Sequence, residues 1–402
     1  MKKYELSILF LAVIFNYCVS ILTAMTNTGE IILHIEKPLF GGSGLGYSSG
    51  KAVFVPFAMP GETVRALIIS DHRDYIEAEL KEILALSTHR LKPECPNFGI
   101  CGGCNYLQAD YDFELEMKRL IIADGLRRIA GFEIENPGAI RTINGRRFRY
   151  RSHCDVKFSG GKPGFFKAQT NTIVPFPDNG CLLLPDELNH AVITINKKNG
   201  SCRIAMDCKG GIHFQGDGSS IHEFENGINF DRGIGDFFQV NRYLRAKMQD
   251  EVLRMSELSA HESFLDIGCG IGFFSLFLAR HFEKGIGIER DSICTSWAVH
   301  NAESNKIDNI IFHAMDANDI HPERHHSDFV VIDPPRSGIS MKSRNAIITM
   351  SPDSIVYVSC NPATFSRDIK TFFEAGYSLW ELALIDMFPG TLHIEIIGQL
   401  KR

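Results

Sequence analysis

From Phe237 onward short apolar runs of strand type alternate with longer helical stretches. A chain of that pattern buries both faces of a parallel sheet, which places it in the doubly wound α/β class. The run Ser263-Phe-Leu-Asp-Ile267 leads into Gly268-Cys-Gly-Ile-Gly272 and then into a helix expected from Phe273. Strand, glycine turn and helix together form a loop for a nucleotide-type cofactor, because glycines let the backbone approach it closely. Glu289 follows seventeen residues after Gly272, at the end of an expected strand Gly285–Ile288, and suits the hydroxyls of a ribose. The spacing Gly-x-Gly-x-Gly lacks the dinucleotide pattern and favours a smaller adenosyl cofactor.

The strands that follow end in chemistry. Asp316 comes after another short strand and is placed to accept from an adenine amino group. Phe329-Val-Val-Ile332 runs into Asp333-Pro-Pro-Arg-Ser-Gly338, a stiff turn. Amino-group methyltransferases grip a base with a similar turn, but here Arg336 stands where they carry tyrosine or phenylalanine. Ile355–Val358 reads as a buried strand, Asn361 as a helix N-cap and Pro362 as the first helical residue. Cys360 therefore sits where a strand hands over to a helix, the edge where α/β sheets bind ligands. The helix dipole there is expected to favour its thiolate. A cysteine taken alone is more often a small core residue. The last strand is expected to carry His393 and Glu395, alternating with apolar residues.

The N-terminal half reads differently. Residues 1–24 form an apolar leader: Lys2 and Lys3 precede Ile8–Phe15, and the apolar character runs to about Ala24. This is the layout of a signal or anchor segment. Leu22 and Ala24 make a poor cleavage site, and a start at Met25 is the alternative, favoured by the cytoplasmic character of the rest. Residues 25–88 hold short strands (Ile31–Ile35, Lys51–Phe57, Thr63–Ile69, Tyr75–Ile83) around a glycine-rich turn, Gly41–Gly46. They suggest a small OB-like barrel, a fold that often binds nucleic acid. Residues 89–235 are expected to form a small α+β central domain. It opens on Cys95-Pro-Asn-Phe-Gly-Ile-Cys101-Gly-Gly-Cys104, three thiols in a metal or cluster loop. Cys154, Cys181, Cys202 and Cys208 are candidates for a fourth ligand, and spacing does not separate zinc from a four-iron cluster. Eleven cysteines, an odd number in a large chain, point to a reducing compartment rather than a disulfide scaffold. Tyr111–Ala130 has the periodicity of an amphipathic helix. Arg141–Lys167 carries eight Arg or Lys against Asp155 alone, interleaved with Phe148, Tyr150, Phe158, Phe165 and Phe166. That mixture suits an RNA surface of backbone contacts and base stacking. The overall charge of −6 excludes a chain coated in nucleic acid but allows such a local face.

Five motifs occur in one order: CPNFGICGGC, FFQVN at Phe237–Asn241, DPPRSG, VSCNP and MFPGTLHIE. In these the chain resembles the RNA uracil-5-methyltransferases, most closely the bacterial 23S rRNA enzymes, from about residue 28 to the C-terminus. The resemblance implies a TRAM barrel (25–88), a central domain with a [4Fe-4S] cluster on Cys95, Cys101, Cys104 and Cys181 (89–235), and a Rossmann-like class I S-adenosylmethionine-dependent methyltransferase domain (236–402). It implies cofactor contacts at Gln239, Glu289, Asp316 and Asp333. Gly268 and Phe273 match by position only, since the family usually has an aromatic at the first and often a polar residue at the second. Cys360 matches the nucleophile and Glu395 the base. The expected enzyme is a cytoplasmic monomer acting on RNA, 23S rRNA before tRNA, with no membrane partner. The competing expectations are an amino-group methyltransferase built on the DPPR turn and a non-catalytic RNA-binding factor.

Overall fold

In the computed structural model the described residues are 29–256 and 262–402; the apolar leader lies outside them. They divide into two compact units, 29–94 with 105–121, and 95–104 with the remainder from 122. Among them no helix is long and apolar enough to cross a membrane.

The first unit is a closed five-stranded barrel in the order β1-β2-β3-β5-β4. Its strands are β1 (Glu30–Pro38), β2 (Ser43–Ser48), β3 (Lys51–Pro56), β4 (Thr63–Asp71) and β5 (Tyr75–Ala85). Alternate residues such as Ile31, Leu33, Ile35, Val53, Val55, Val64 and Ile76 point inward and close the core. The expected glycine turn Gly41–Gly46 is in fact mostly strand. Gly44 and Gly46 lie inside β2, and a Cβ on Gly46 would collide with the His34 carbonyl. Glycine serves there for close approach between strands rather than for turning. Residues 105–121, expected in the central domain, group with the barrel. Tyr106, Phe113 and Met117 share a buried cluster with Met59.

α1 (Tyr111–Gly125) is followed by a π-helical turn, Leu126–Ala130, closed by Gly131 in the left-handed conformation. The expected helix thus keeps its length but widens at its end. The second unit next contributes β6 (Arg141–Ile143), β7 (His153–Ser159), β8 (Lys162–Phe166), β9 (Ile173–Pro175), α2 (Asp186–Thr194), β10 (Gly200–Met206) and β11 (Ile212–Phe214). β7 to β11 form an antiparallel sheet in the order β11-β10-β7-β8-β9. Its core gathers Val156, Phe158, Leu184, Leu188, Val192 and Ile204. A hairpin of β12 (Ile221–Glu225) and β13 (Ile228–Arg232) leads to α3 (Arg245–Met255).

The alternating half folds as expected. β14 (Ser263–Ile267), α4 (Ser275–Ala279), β15 (Lys284–Glu289), α5 (Ser292–Ser304), β16 (Ile310–Ala314) and β17 (Phe329–Ile332) are followed by α6 (Met341–Met350), β18 (Ser354–Ser359), α7 (Pro362–Glu374), β19 (Ser378–Ile385) and β20 (Glu395–Lys401). The eight-stranded sheet runs β16-β15-β14-β17-β18-β20-β19-β6. The first five strands are parallel, and β20 is antiparallel to both its neighbours. β14 lies between β15 and β17, so the strand order reverses there and a crevice opens at the carboxyl ends. β6 pairs with β19 and completes this sheet. Its residues, read from sequence as part of a basic RNA face, are an edge strand of this eight-stranded sheet.

Candidate active site

The crevice is a cleft of about 780 Å³ lined by Gln239, Gly268, Glu289, Asp316, Asp333, Cys360 and Glu395, all singled out from sequence. Gly268 (φ +84°) turns the chain out of β14, and its N–H donates to the Ile288 carbonyl at 2.8 Å. A Cβ there would lie 2.6 Å from the Asp333 carbonyl oxygen, so any side chain would strain the turn. Glu289 is held from both sides: Gly270 N–H donates to one carboxylate oxygen at 3.1 Å and Asp291 N–H to the other at 2.8 Å. Asp316 caps a short helical turn through Asn318 N–H at 2.9 Å. These backbone cradles and acids fit an adenosyl cofactor by their donor set.

Phe273 does not line the cleft. Its ring turns the other way, against Phe238 and Phe274, and is only 8% exposed. Phe273 matches the family by position alone, which does not fix the face its side chain presents, and the helix expected from it begins only at Ser275.

Gln239 is positioned by a buried network that the sequence reading missed. Arg245 donates to the Gln239 carbonyl at 2.6 Å and to Glu223 at 2.8 Å, and Arg232 takes the other oxygen of Glu223 at 2.8 Å. These three charges fall on separate elements, β12, β13 and the start of α3, and carry no local signal. Beside Gln239, Phe237 lines the cleft yet is 67% exposed.

Asn361 caps α7 as expected, accepting from Ala363 N–H at 3.0 Å, and Cys360 sits between β18 and that helix. The electrostatics depart from expectation. The Cys360 thiol is pushed up to about 11, by burial first and then by the charges of Glu395 and Asp333; Arg336 and a backbone hydrogen bond oppose this. Desolvation and two nearby acids outweigh the Arg336 charge and the backbone hydrogen bond. Burial, then the Asp333 charge, holds the Glu395 carboxyl well above its ordinary range. Asp333 is pushed up to about 8 by burial, Asp266 and Glu289. The cleft is therefore short of positive charge. Arg336 supplies one, with its guanidinium 2.9 Å from His393 Nδ1. The Asp333–Gly338 turn is braced by α7: Asn361 Nδ2 and Thr364 Oγ1 both donate to the Arg336 carbonyl at 3.2 Å. His393 lies before β20 rather than in it, because the strand begins only at Glu395. It still lines the cleft.

Cys95, Cys101, Cys104 and Cys181 act on one another. Burial and then the charges of Cys181, Cys101 and Cys95 all push up the Cys104 thiol. Asn189 fixes the Cys181 turn, accepting from its N–H at 2.9 Å and donating to its carbonyl at 3.1 Å. Among the described residues no group of three or more His, Cys, Asp or Glu side chains is arranged to hold a metal ion, so the expected cluster site is not seen as one.

The expected stacking face is mostly core. Tyr150 and Phe158 are buried, and Phe165 packs edge-on against Phe176. Phe166 is exposed, with Lys157 Nζ 5.4 Å from its ring centre. Strand alternation turns Phe158 of β7 inward, whereas Phe166 at the end of β8 faces out.

Residues 225–402 match the family described as tRNA (Uracil-5-)-methyltransferase, and residues 30–81 match the TRAM domain. An uncharacterized RNA methyltransferase of Aquifex aeolicus is 31% identical over 423 residues, covering 92% of this chain and 98% of its own. A second, from Listeria monocytogenes, is 28% identical over 442 residues, covering 92% and 97%. Among solved structures, Pyrococcus abyssi tRNA (uracil-54, C5)-methyltransferase, bound to S-adenosyl-L-homocysteine, superposes with a TM-score of 0.71 at 21% identity. That likeness is one of fold, and it covers 92% of this chain and 100% of the other. The chain thus belongs to the RNA uracil-5-methyltransferases, which depend on S-adenosylmethionine.

Proposed function

We propose that Cys360 and Glu395 carry out methylation at C5 of a uridine in RNA, 23S rRNA before tRNA, through a covalent bond between Cys360 and C6. The observation that carries this reading is the meeting of a thiol and two carboxyls, Glu395 and Asp333, in the cleft behind the Gly268 turn. S-adenosylmethionine, held by Gln239, Gly268, Glu289, Asp316 and Asp333, would supply the electrophilic methyl group. C5 of uracil is a weak nucleophile. Addition of the Cys360 thiolate to C6 moves the C5–C6 π pair onto C5 and O4, and C5 then takes the methyl group. Glu395 removes the remaining C5 proton, the C5–C6 double bond re-forms, and the thiolate leaves. The uracil must leave its stack to reach Cys360, and the exposed Phe237 ring at the rim offers it a surface.

The resting thiol suits a gated nucleophile. With its thiol pushed up to about 11, Cys360 is largely protonated at pH 7. A cation bound beside Asp333 opposes the acids that raise this midpoint, and so lowers it. Labelling of Cys360 by iodoacetamide, followed on its peptide by mass spectrometry, should rise with pH towards 11 in the free enzyme. The midpoint should fall with a cationic cofactor analogue and stay with a neutral one. A free-enzyme midpoint at the ordinary thiol value of 9.0 contradicts this reading.

Cys95, Cys101, Cys104 and Cys181 are proposed to hold a [4Fe-4S] cluster. The cysteine loop shared with the rRNA enzymes this chain resembles supports this, and the thiols act on one another electrostatically. Methyl transfer moves no electron, so the cluster's part is to hold the surrounding loops. The rRNA reading rests on the cysteine loop that the chain shares with the rRNA enzymes it resembles. Its test is methyl acceptance by rRNA and tRNA purified from a strain lacking the enzyme. Label in 5-methyluridine of 23S rRNA is the expected result, and label in tRNA alone would move the substrate to tRNA.

A further inference from the structure

We infer that Arg146, Arg242 and Tyr243 form a binding site for a phosphodiester of the RNA strand next to the target uridine. The inference rests on RNA being the substrate. Two guanidinium groups converge on one phenol: Arg242 Nη2 donates to the Tyr243 hydroxyl at 2.7 Å and Arg146 Nη1 at 3.3 Å. Their central carbons lie 4.9 and 4.7 Å from the Tyr243 ring centre. Among the described residues neither guanidinium is paired with a carboxylate, although the chain as a whole is acidic. Arg242 Nε is buried with no hydrogen-bond partner, and Arg242 Nη1 faces only the Met206 sulfur at 3.7 Å, a weak acceptor. Two adjacent like charges with donors to spare repel each other until an anion stands between them. A phosphate offers oxygens in the geometry that guanidinium groups accept.

The backbone holds the pair in place. Arg242 N–H donates to the Tyr150 carbonyl at 3.2 Å, and Tyr243 N–H donates to Asn241 Oδ1 at 3.1 Å. The loop bearing Arg146 lies against Leu244: a Cβ on Gly145 would come within 3.2 Å of that side chain. Lys247 Nζ donates to the Asn144 carbonyl at 3.4 Å and adds a third cation to this loop. Phe237, on the rim of the cleft, precedes Arg242 by five residues, at most about 17 Å of extended chain. A strand whose uracil enters the cleft can therefore lay a neighbouring phosphate on the two arginines.

The test uses the full chain with cofactor and the variants Arg146→Gln, Arg242→Gln and Tyr243→Phe. Affinity for poly(U) is measured by fluorescence anisotropy across roughly 50–200 mM salt. Each arginine variant is expected to reduce the slope of log affinity against log salt by about 0.7, the value for one lost contact to a single strand. Each should also weaken binding about tenfold at low salt, as loss of a charged hydrogen bond does. Tyr243→Phe should keep the slope and weaken binding about threefold. In methyl transfer to RNA from a strain lacking the enzyme, the loss should fall on KM rather than kcat. Cofactor affinity on the same samples reports folding, and exposed Arg146 decides the matter if Arg242→Gln does not fold. Unchanged slopes in both arginine variants overturn the site while leaving RNA methylation intact. A wild-type enzyme that does not bind poly(U) at all would overturn the site and the RNA reading together.

Discussion

Cys360→Ala is expected to lower methyl transfer by a factor on the order of 10⁴ or more, with RNA and cofactor affinity largely kept. The change removes one atom at the end of β18. The strand is fully buried and the cap at Asn361 does not use the thiol, so the scaffold stays. The route to a nucleophilic C5 is lost, because no other thiol lining the cleft stands beside Glu395. Cys294 also lines the cleft, but the acids acting on it are Asp236, Asp291 and Glu289, on the cofactor side. Turnover is read from methyl incorporation at saturating RNA. A variant within about tenfold of the wild type removes the covalent route.

Glu395→Gln is expected to slow turnover by about 10²- to 10⁴-fold and to accumulate a covalent enzyme–RNA species. Glutamine keeps the volume of this buried site and cannot take the C5 proton, so the methylated adduct has no exit. The sign of the electrostatic change favours trapping. Glu395 is the first charge that raises the Cys360 thiol, so its neutral replacement lowers that thiol and favours attack at C6. A retarded band on a denaturing gel, lost in the double variant with Cys360→Ala, is the expected result. Its absence would place the base elsewhere in the cleft, with His393 next in line.

Features written in short stretches of sequence were readable there. The strand Ser263–Ile267, the Asn361-Pro362 cap and the alternation that closes the barrel each depend on a few neighbouring residues, and each is in the structure. What depends on distant partners was not readable. The raised Cys360 thiol reflects burial first, then Glu395 at the start of β20 and Asp333 just beyond β17. Arg232, Glu223 and Arg245 gain their meaning only when α3 and the β12–β13 hairpin bring them under Gln239. The basic stretch misled for a related reason. Its composition counted cations and aromatics together, whereas Tyr150 and Phe158 are core and Arg141 belongs to an edge strand of the catalytic sheet. Arg146 and Arg242 lie in separate stretches of the sequence and meet at Tyr243.

Mass-spectrometric mapping of 5-methyluridine in rRNA and tRNA tests methylation of a uridine at C5 through Cys360. The samples come from a strain lacking this enzyme, complemented with the wild type or with Cys360→Ala. One 5-methyluridine is expected to be lost from 23S rRNA, restored by the wild type and left absent by the variant. Full 5-methyluridine in every RNA of the deletion strain, or restoration by Cys360→Ala, would contradict it.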